Sequence, residues 1–319
     1  MTQWIRKIGL TVTSGGKALD LSQLQIKFRT TQMDVDGGYP PGAEVRVYNL
    51  SDETAKQVQD EYKEVILQAG YVNGDYGVIF KGTIKMIRRG RLNAIDSFLD
   101  ITAADGDQAR FAIVNGSDAA GWKAADIAKR IDQATSQYGV NVDSAGLTGG
   151  VVGIRGKVSW GLAYARANDL ANNNYGTYSI IDGKMVFTPL TGYQSGDVVV
   201  LNSNTGLIGV PEATIEGIDL TCLLNPKLRL GGRVKINNAD INTTTVKEPG
   251  YPRFSDRPFF ASTTADGVYR VLVIEHQGDT RDQEWYTQVT ALALDGSASP
   301  GAAVSAYGDA GVPAKGSSN

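Results

Sequence analysis

The chain has 319 residues, of which 42% are hydrophobic and 20% charged, enough for two or three ordinary cores in a globular protein. Its formal charge of -3 does not suit a polyanion binder, whose affinity comes from releasing counterions from nucleic acid. The single cysteine, Cys222, excludes an intrachain disulfide and any cysteine-based metal cluster, and fits assembly in a reducing cytoplasm.

Met1 to Val12 carries Arg6 and Lys7 with no apolar run behind them, so no signal peptide is expected. No stretch approaches the roughly 20 apolar residues of a membrane helix, and no membrane anchor is expected. Glycine-bounded short apolar runs predict a β-rich protein with few helices. In a first region, Ile8–Thr13, Leu24–Thr31 and Glu44–Asn49 read as strands, and Ser51 offers an N-cap to a short acidic helix ending near Tyr62. Between the first two strands, Ser14-Gly15-Gly16-Lys17 lacks the spacing of a phosphate loop and reads as a turn. Asp34-Val35-Asp36-Gly37 opens like a calcium loop but runs into Tyr39-Pro40-Pro41 with no Glu at the twelfth position, and reads as a surface loop. Strands resume at Glu64–Ala69 and Val78–Ile87. A polar turn around Arg89 to Asp96 follows, in which the basic cluster Arg88, Arg89 and Arg91 is expected to be solvated. Phe98–Ala103 closes the hairpin, with Leu99, Ile101 and Ala103 on one face.

A second region carries helical spacing. Ala124, Ile127, Ala128, Ile131 and Tyr138 predict a helix over about Trp122 to Tyr138, stopped by Gly139. A second helix is expected from Ser159, with Trp160, Ala163, Tyr164, Ala167 and Ala171 on one stripe, giving out at Asn172 to Asn174. Thr177–Ile181 and Lys184–Thr188 flank Asp182-Gly183, a type I′ hairpin signal. The third region returns to strands at Val198–Leu201, Thr214–Leu220 and Arg233–Ile236. A long closing hairpin, Tyr269–Glu275 and Trp285–Leu294, turns through Gly278 to Gln283. That hairpin ends in Ala293-Leu294-Asp295 as the first ends in Ala103-Ala104-Asp105. The layout leaves open an internal duplication or a coincidence between two long hairpins. Ser297 to Asn319 is Gly, Ala, Ser and Pro with few large apolar side chains, and is expected to be a flexible tail.

No catalytic, cofactor or metal site stands out. His276 is the only histidine, which removes His-rich metal sites, and no Ser or Cys sits in a nucleophile elbow; it reads as a polar residue at a strand end. Carboxylate pairs for glycoside hydrolysis arise by chance among 34 Asp and Glu, and no motif marks one out. One segment is composed like a contact surface: in the proline-stiffened run Pro249 to Phe260, Tyr251, Arg253, Phe254, Arg257, Phe259 and Phe260 are interface candidates. The alternative is a long loop folded over its own domain.

Several local patterns, in one order, resemble a known family. They are Glu44-Val45-Arg46-Val47-Tyr48-Asn49-Leu50-Ser51, Ala69-Gly70-Tyr71, Ile79-Phe80-Lys81-Gly82-Thr83-Ile84 and Ala104-Asp105-Gly106-Asp107. In the middle come Gly156-Lys157-Val158-Ser159-Trp160 and Tyr178-Ser179-Ile180-Ile181-Asp182-Gly183-Lys184, and later Gly206-Leu207-Ile208-Gly209-Val210-Pro211 and Leu223-Leu224-Asn225-Pro226-Lys227-Leu228. Together they resemble the baseplate hub family of contractile-tailed bacteriophages, related to the hub portion of type VI secretion spikes. The resemblance implies an α+β, β-rich fold: two tail-tube-like antiparallel β-barrels, residues 1–112 and 191–296, with a small α+β domain inserted at 113–190 and a tail at 297–319. It implies no enzyme and no cofactor. The implied protein is a structural hub, a homotrimeric ring adapting the six-fold tail tube to the three-fold spike, with tail-tube, spike and other baseplate proteins as partners and phage DNA as cargo through the lumen. Its implied location is the virion baseplate, after assembly in the host cytoplasm. The competing functions are a tail-associated peptidoglycan hydrolase and a tail-tip receptor- or carbohydrate-binding protein.

Overall fold

The computed structural model describes residues 5–33, 41–147, 152–214, 217–237, 239, 241 and 267–293. The first region forms β1 (Arg6–Ser14), β2 (Lys17–Asp20), β3 (Ile26–Met33), β4 (Gly42–Tyr48), α1 (Asp52–Glu61), β5 (Glu64–Tyr71), β6 (Tyr76–Arg91) and β7 (Ser97–Ala104). The Ser51 hydroxyl accepts the Thr54 N–H at 3.1 Å, Asp52 and Glu53 sit in the first turn where the helix dipole favours anions, and Ala55 and Val58 are the buried face of α1. Strict alternation in β4 and β7 sends Ala43, Val45, Val47, Leu99, Ile101 and Ala103 inward. Arg88, Arg89 and Arg91 were expected in a turn; they lie instead on β6, which runs on to Arg91 because it stays paired with β7 as far as Ser97.

The second region contains α2 (Asp107–Arg110), β8 (Ile113–Asp118), α3 (Ala124–Thr135), β9 (Asn141–Asp143), β10 (Lys157–Leu162), α4 (Ala163–Asn173), β11 (Gly176–Ile181) and β12 (Lys184–Pro189). The first predicted helix is α3 plus one 3-10 turn, Ser136–Tyr138, ended by Gly139 at φ 78°, and Tyr138 falls outside the buried stripe. The second predicted helix starts four residues late. Ser159 and Trp160 belong to β10, paired with β8, and Trp160 is 62% exposed there. Asp182 (φ 51°) and Gly183 (φ 76°) make the expected tight turn between β11 and β12.

The third region forms β13 (Val198–Val200), β14 (Leu207–Thr214), β15 (Gly217–Leu223), β16 (Arg233–Lys235), β17 (Val268–Asp279) and β18 (Trp285–Ala293). The run expected as one strand over Thr214–Leu220 is in fact the junction of β14 and β15. Buried apolar side chains gather in three clusters, one per region: the first around Phe28, Val45 and Ile101, the second around Ile127, Ile131 and Met185, the third around Leu220, Val271 and Val289. Each fully buried side chain of this size contributes about 1.5–3 kcal/mol.

The outer regions form one sheet, in the order β14-β15-β18-β17-β3-β4-β7-β6-β5-β1-β2, with β13 and β16 attached beside β17. The junction is the antiparallel ladder from Val273↔Met33 to Asp279↔Lys27. Across it, Leu224 and Trp285 pack into the first cluster, Trp285 edge-on to Phe28 at 5.4 Å between centroids. Arg6 stacks over the Trp285 ring and donates to the carbonyls of Asp279, Asp282 and Gln283, clasping the β17–β18 turn. Among the described residues no ladder closes either half into a barrel.

The two halves repeat one connectivity. In chain order β3, β4, β5, β6, β7 assemble spatially as β3-β4-β7-β6-β5, and β14 to β18 assemble as β14-β15-β18-β17-β16. The registers agree residue by residue. A bulge skips Lys85 between Ile84 and Met86, and another skips Leu272 between Val271 and Val273, placing Ile101-Thr102-Ala103 on Val289-Thr290-Ala291. From there Glu44 opposite Thr102 matches Asp219 opposite Thr290. The bond from the Ile84 N–H to the Lys63 carbonyl is likewise repeated by Val271 to Gly232. The halves part company at the next strand, since β1 runs antiparallel to β5 but β13 parallel to β16.

Candidate functional site: a polar sheet face and two open strand edges

Alternation along the sheet leaves every second side chain of β15, β18, β17, β3, β4 and β7 on the face away from the cores. That face is polar on both halves and largely paired in charge. Arg46 holds Asp100 in two parallel bonds, Nε to Oδ1 at 2.6 Å and a terminal nitrogen to Oδ2 at 2.9 Å, and its guanidinium lies 4.5 Å from the Phe98 ring centroid. Arg88 reaches the same Asp100 carboxylate at 3.3 Å. Hydrogen bonding to Asp100 raises the Arg46 pKa further above its ordinary value, so this cation does not titrate. Across the β3–β17 junction Arg29 meets Glu275 at 2.7 Å, Lys27 meets Glu284 at 3.0 Å, and on β15 Asp219 accepts the Thr290 hydroxyl at 2.7 Å. Exposed pairs of this kind add little stability each; they neutralise the face.

Among the open strand edges of the long sheet, those of β14 and β6 belong to the repeated strands, while β2 and β13 also pair on one side only. β14 pairs only with β15, and its outer edge ends the sheet. β6 pairs with β5 through Thr83, and its outer half, beyond Ile84, pairs on one side only, with β7.

The interior holds polar groups without catalytic geometry. His276 lies within β17, not at a strand end, and is 2% exposed; its Nδ1 is 2.8 Å from Thr287 Oγ1, which also accepts the Asn225 N–H at 3.0 Å. Cys222 stands opposite the same Thr287 on the next strand. Burial pushes the His276 imidazole down to about 3 and the Cys222 thiol up to about 12, so both are neutral and enclosed, the opposite of an activated thiolate–imidazolium pair. A cleft of about 1180 Å³ opens between the second region and the two β halves, bridged by Lys227–Asp75 at 2.6 Å and Arg229–Asp182 at 3.1 Å, and His276 does not line it. Among the described residues no group of His, Cys, Asp and Glu could hold a metal, and no helix is long and apolar enough to cross a membrane.

Ser14 to Lys17 forms the expected turn, with Gly15 and Gly16 at positive φ. The interface candidates Tyr251, Arg253, Phe254, Arg257, Phe259 and Phe260 lie outside the described residues, as do Asp34 to Gly37. The open edge of β6 and the polar face were not singled out from sequence. The signal was present in the run Lys85, Arg88, Arg89, Arg91, since cations on a strand are how sheets keep an exposed edge from pairing indiscriminately.

A family model described as Baseplate hub gp41 matches residues 42–248. No curated protein is matched by sequence. Among solved structures, the 43 kDa tail protein of prophage MuSo2 from Shewanella oneidensis is similar at a TM-score of 0.55 and 10% identity, over 93% of this chain and 99% of that one. The tail protein from Neisseria meningitidis MC58 has a TM-score of 0.55 and 12% identity, over 94% and 99%. A chain of the half-lidded Francisella PdpA-VgrG complex has a TM-score of 0.50 and 9% identity, over 91% of this chain and 58% of that one.

Proposed function

Since the chain belongs to the Baseplate hub gp41 family, a family of structural, non-enzymatic tail proteins, we propose that it works as a homotrimeric ring in the virion baseplate, between the six-fold tail tube and the three-fold spike. The observation that carries this is the repeated connectivity of β3 to β7 in β14 to β18. A chain with two similar halves converts three copies into six similar units around an axis, which changes rotational order through shape alone. On this reading residues 1–112 and 191–296 are two tube-like barrel domains around the inserted 113–190. The barrels would be completed by neighbouring copies, which supplies a reason for the unclosed sheet of one chain.

In such a ring the polar face lines the lumen. Arg46 and Arg88 share Asp100, and Arg29 is on Glu275, so most of this cationic charge is already offset, and DNA gains little counterion release by binding it and slides as cargo. Tail-tube, spike and other baseplate proteins are the proposed partners, the segment from Tyr251 to Phe260 is a proposed contact for them, and assembly takes place in the host cytoplasm. Light-scattering mass measured alone and after mixing with the spike protein tests the reading. A trimer in either condition supports it. A monomer in both, or lysis of purified cell wall by this chain alone, overturns it.

A further inference from the structure

One open strand edge borders a cleft instead of an end of the long sheet. β13 pairs in parallel with β16 and with no other strand among the described residues. Leu201 donates its N–H to the Lys235 carbonyl at 2.9 Å, so strand alternation turns the backbone of Val199 toward β16 and that of Val198 and Val200 outward. Val198, Val199 and Val200 all line the cleft of about 1180 Å³ between the second region and the β halves. A strand showing the cleft one face would contribute every second residue, so β13 presents its edge. Thr205 Oγ1 donates to the outward Val200 carbonyl at 2.9 Å, which leaves the Val198 N–H and carbonyl and the Val200 N–H for a further strand. The cleft exceeds the roughly 300–1,000 Å³ of a small-molecule pocket, and its four carboxylates are balanced by four cations, so it suits an uncharged length of chain.

We infer that this cleft is a strand-addition site, and that its occupant is the chain's own segment 302–307, paired antiparallel with the outer edge of β13. The segment lies within reach. Ala293, at the end of β18, stands in the row Ala293↔Tyr269, Tyr269↔Val234, Val234↔Val199, so a strand outside β13 is four ladder spacings, about 19 Å, from β18. Residues 294–300 span about 23 Å when extended. The direction follows from the ladders. β18, β16 and β13 run the same way, so the chain leaves β18 at the end of the sheet where β13 finishes and returns along β13 antiparallel to it. Pro300 and Gly301 stand where it must reverse, and both are turn residues. Charge agrees as well: residues 296–308, between Asp295 and Asp309, carry none, which matches a cleft whose own charges balance. Ala302, Ala303, Ser305 and Ala306 are small enough for close backbone approach, while Val304 and Tyr307 favour an extended chain. Main-chain hydrogen bonds supply the attraction in such an addition. The inference is independent of the ring reading, since it concerns one chain alone.

Residue-resolved amide hydrogen exchange tests it on three chains: the full-length protein, a chain stopped after Gly296, and full-length Val304→Pro with Ser305→Pro, which removes neighbouring N–H groups on both sides of the segment. The Val198 and Val200 amides are expected to exchange about tenfold or more slowly in the full-length protein than in either altered chain. Val199, whose N–H faces β16, should be equally protected in all three, which also shows that the altered chains fold. Equal exchange of Val198 and Val200 in the three chains overturns the inference, because any protection of the edge then comes from another segment. A loss at Val199 as large as at its neighbours also overturns it, since that marks general loosening and not the uncovering of one edge.

Discussion

Removing Asp105 should expose a pH dependence that the wild-type chain hides. His276, buried against Thr287, is held neutral with its pKa lowered from 6.5 to about 3. The unfolded chain takes up a proton that the folded chain refuses, so His276 withdraws stability as pH falls below 6.5, by about 1.36 kcal/mol per unit. Asp105 acts in the opposite direction. It follows β7 directly and meets the β11–β12 turn, its N–H on the Pro41 carbonyl at 2.9 Å and its carboxylate accepting the Gly183 N–H at 3.3 Å. Burial, opposed by that N–H and assisted by the charge of Asp182, pushes its carboxyl from 3.8 up to about 6. The folded chain therefore keeps a proton that the unfolded chain releases, and stability is gained as pH falls from 6 toward 3.8. Between pH 6 and about pH 4.5 each group moves stability by about 2 kcal/mol and the two nearly cancel. Asp105→Asn removes the compensating group, so on acidification it should lose about 2 kcal/mol more than wild type. His276→Asn should lose about 2 kcal/mol less. Urea unfolding followed by tryptophan fluorescence at four pH values between 7 and about 4.5 measures both, with wild type as the common reference for all other carboxylates. Parallel stability curves for Asp105→Asn and wild type would refute the argument.

Gly278 sits between Phe28 and Trp285, where an added Cβ would come within 2.7 Å of the Phe28 ring and 2.6 Å of the Trp285 ring. Gly278→Ala should cost about 1–3 kcal/mol by overpacking and shift tryptophan emission, both read in urea titrations. Arg270, 1% exposed, donates to the Pro189 carbonyl at 2.7 Å and to Thr177 Oγ1 at 2.9 Å, tying the third region to the second-region hairpin. Arg270→Met should cost about 3–5 kcal/mol and release amide protection in β11 and β12, measured by hydrogen exchange. Gly106 holds φ 66° with Ile180 Cγ2 only 2.8 Å from where a Cβ would stand, so Gly106→Ala should lower stability by at least about 1–2 kcal/mol.

What the sequence made legible were features decided within a few residues. Ser51 with Thr54, the alternation of Leu99, Ile101 and Ala103, and Asp182-Gly183 each specify their backbone locally, and each appears where expected. β10 was hidden because Trp160 falls three residues before Ala163 and so continues a helical stripe; only its pairing with β8, more than forty residues away in sequence, makes it a strand. β14 was hidden by Gly209 at φ 71° and Pro211, which break its register against β15 between Ile208 and Glu212 and read as a loop. The duplication was sensed from hairpin layout but aligned through Ala103-Ala104-Asp105 and Ala293-Leu294-Asp295. The bulges place Ala103 on Ala291, two residues away. A slip of two leaves every side chain on its own face, so hydrophobic pattern alone could not have distinguished the alignments. The β3–β17 ladder joins residues some 240 positions apart, and no local signal encodes it.

The open edges of β6 and β14 are composed against pairing with their own copies. An exposed strand edge accepts any edge, including its own copy across a two-fold axis. Along the outer half of β6 stand Lys85, Arg88, Arg89 and Arg91, the first three ion-paired to Asp107, Asp100 and Asp52, so a second β6 edge would have to break those pairs or bring four more cations beside them, which is destabilising. β14 has no such row of cations. It carries Glu212, and Pro211 lacks an N–H to give to a second β14, while the irregularity around Gly209 splits its regular pairing into Leu207–Ile208 and Glu212–Thr214. Each edge is thus a poor partner for itself, and its own residues protect it from pairing with a second copy across a two-fold axis.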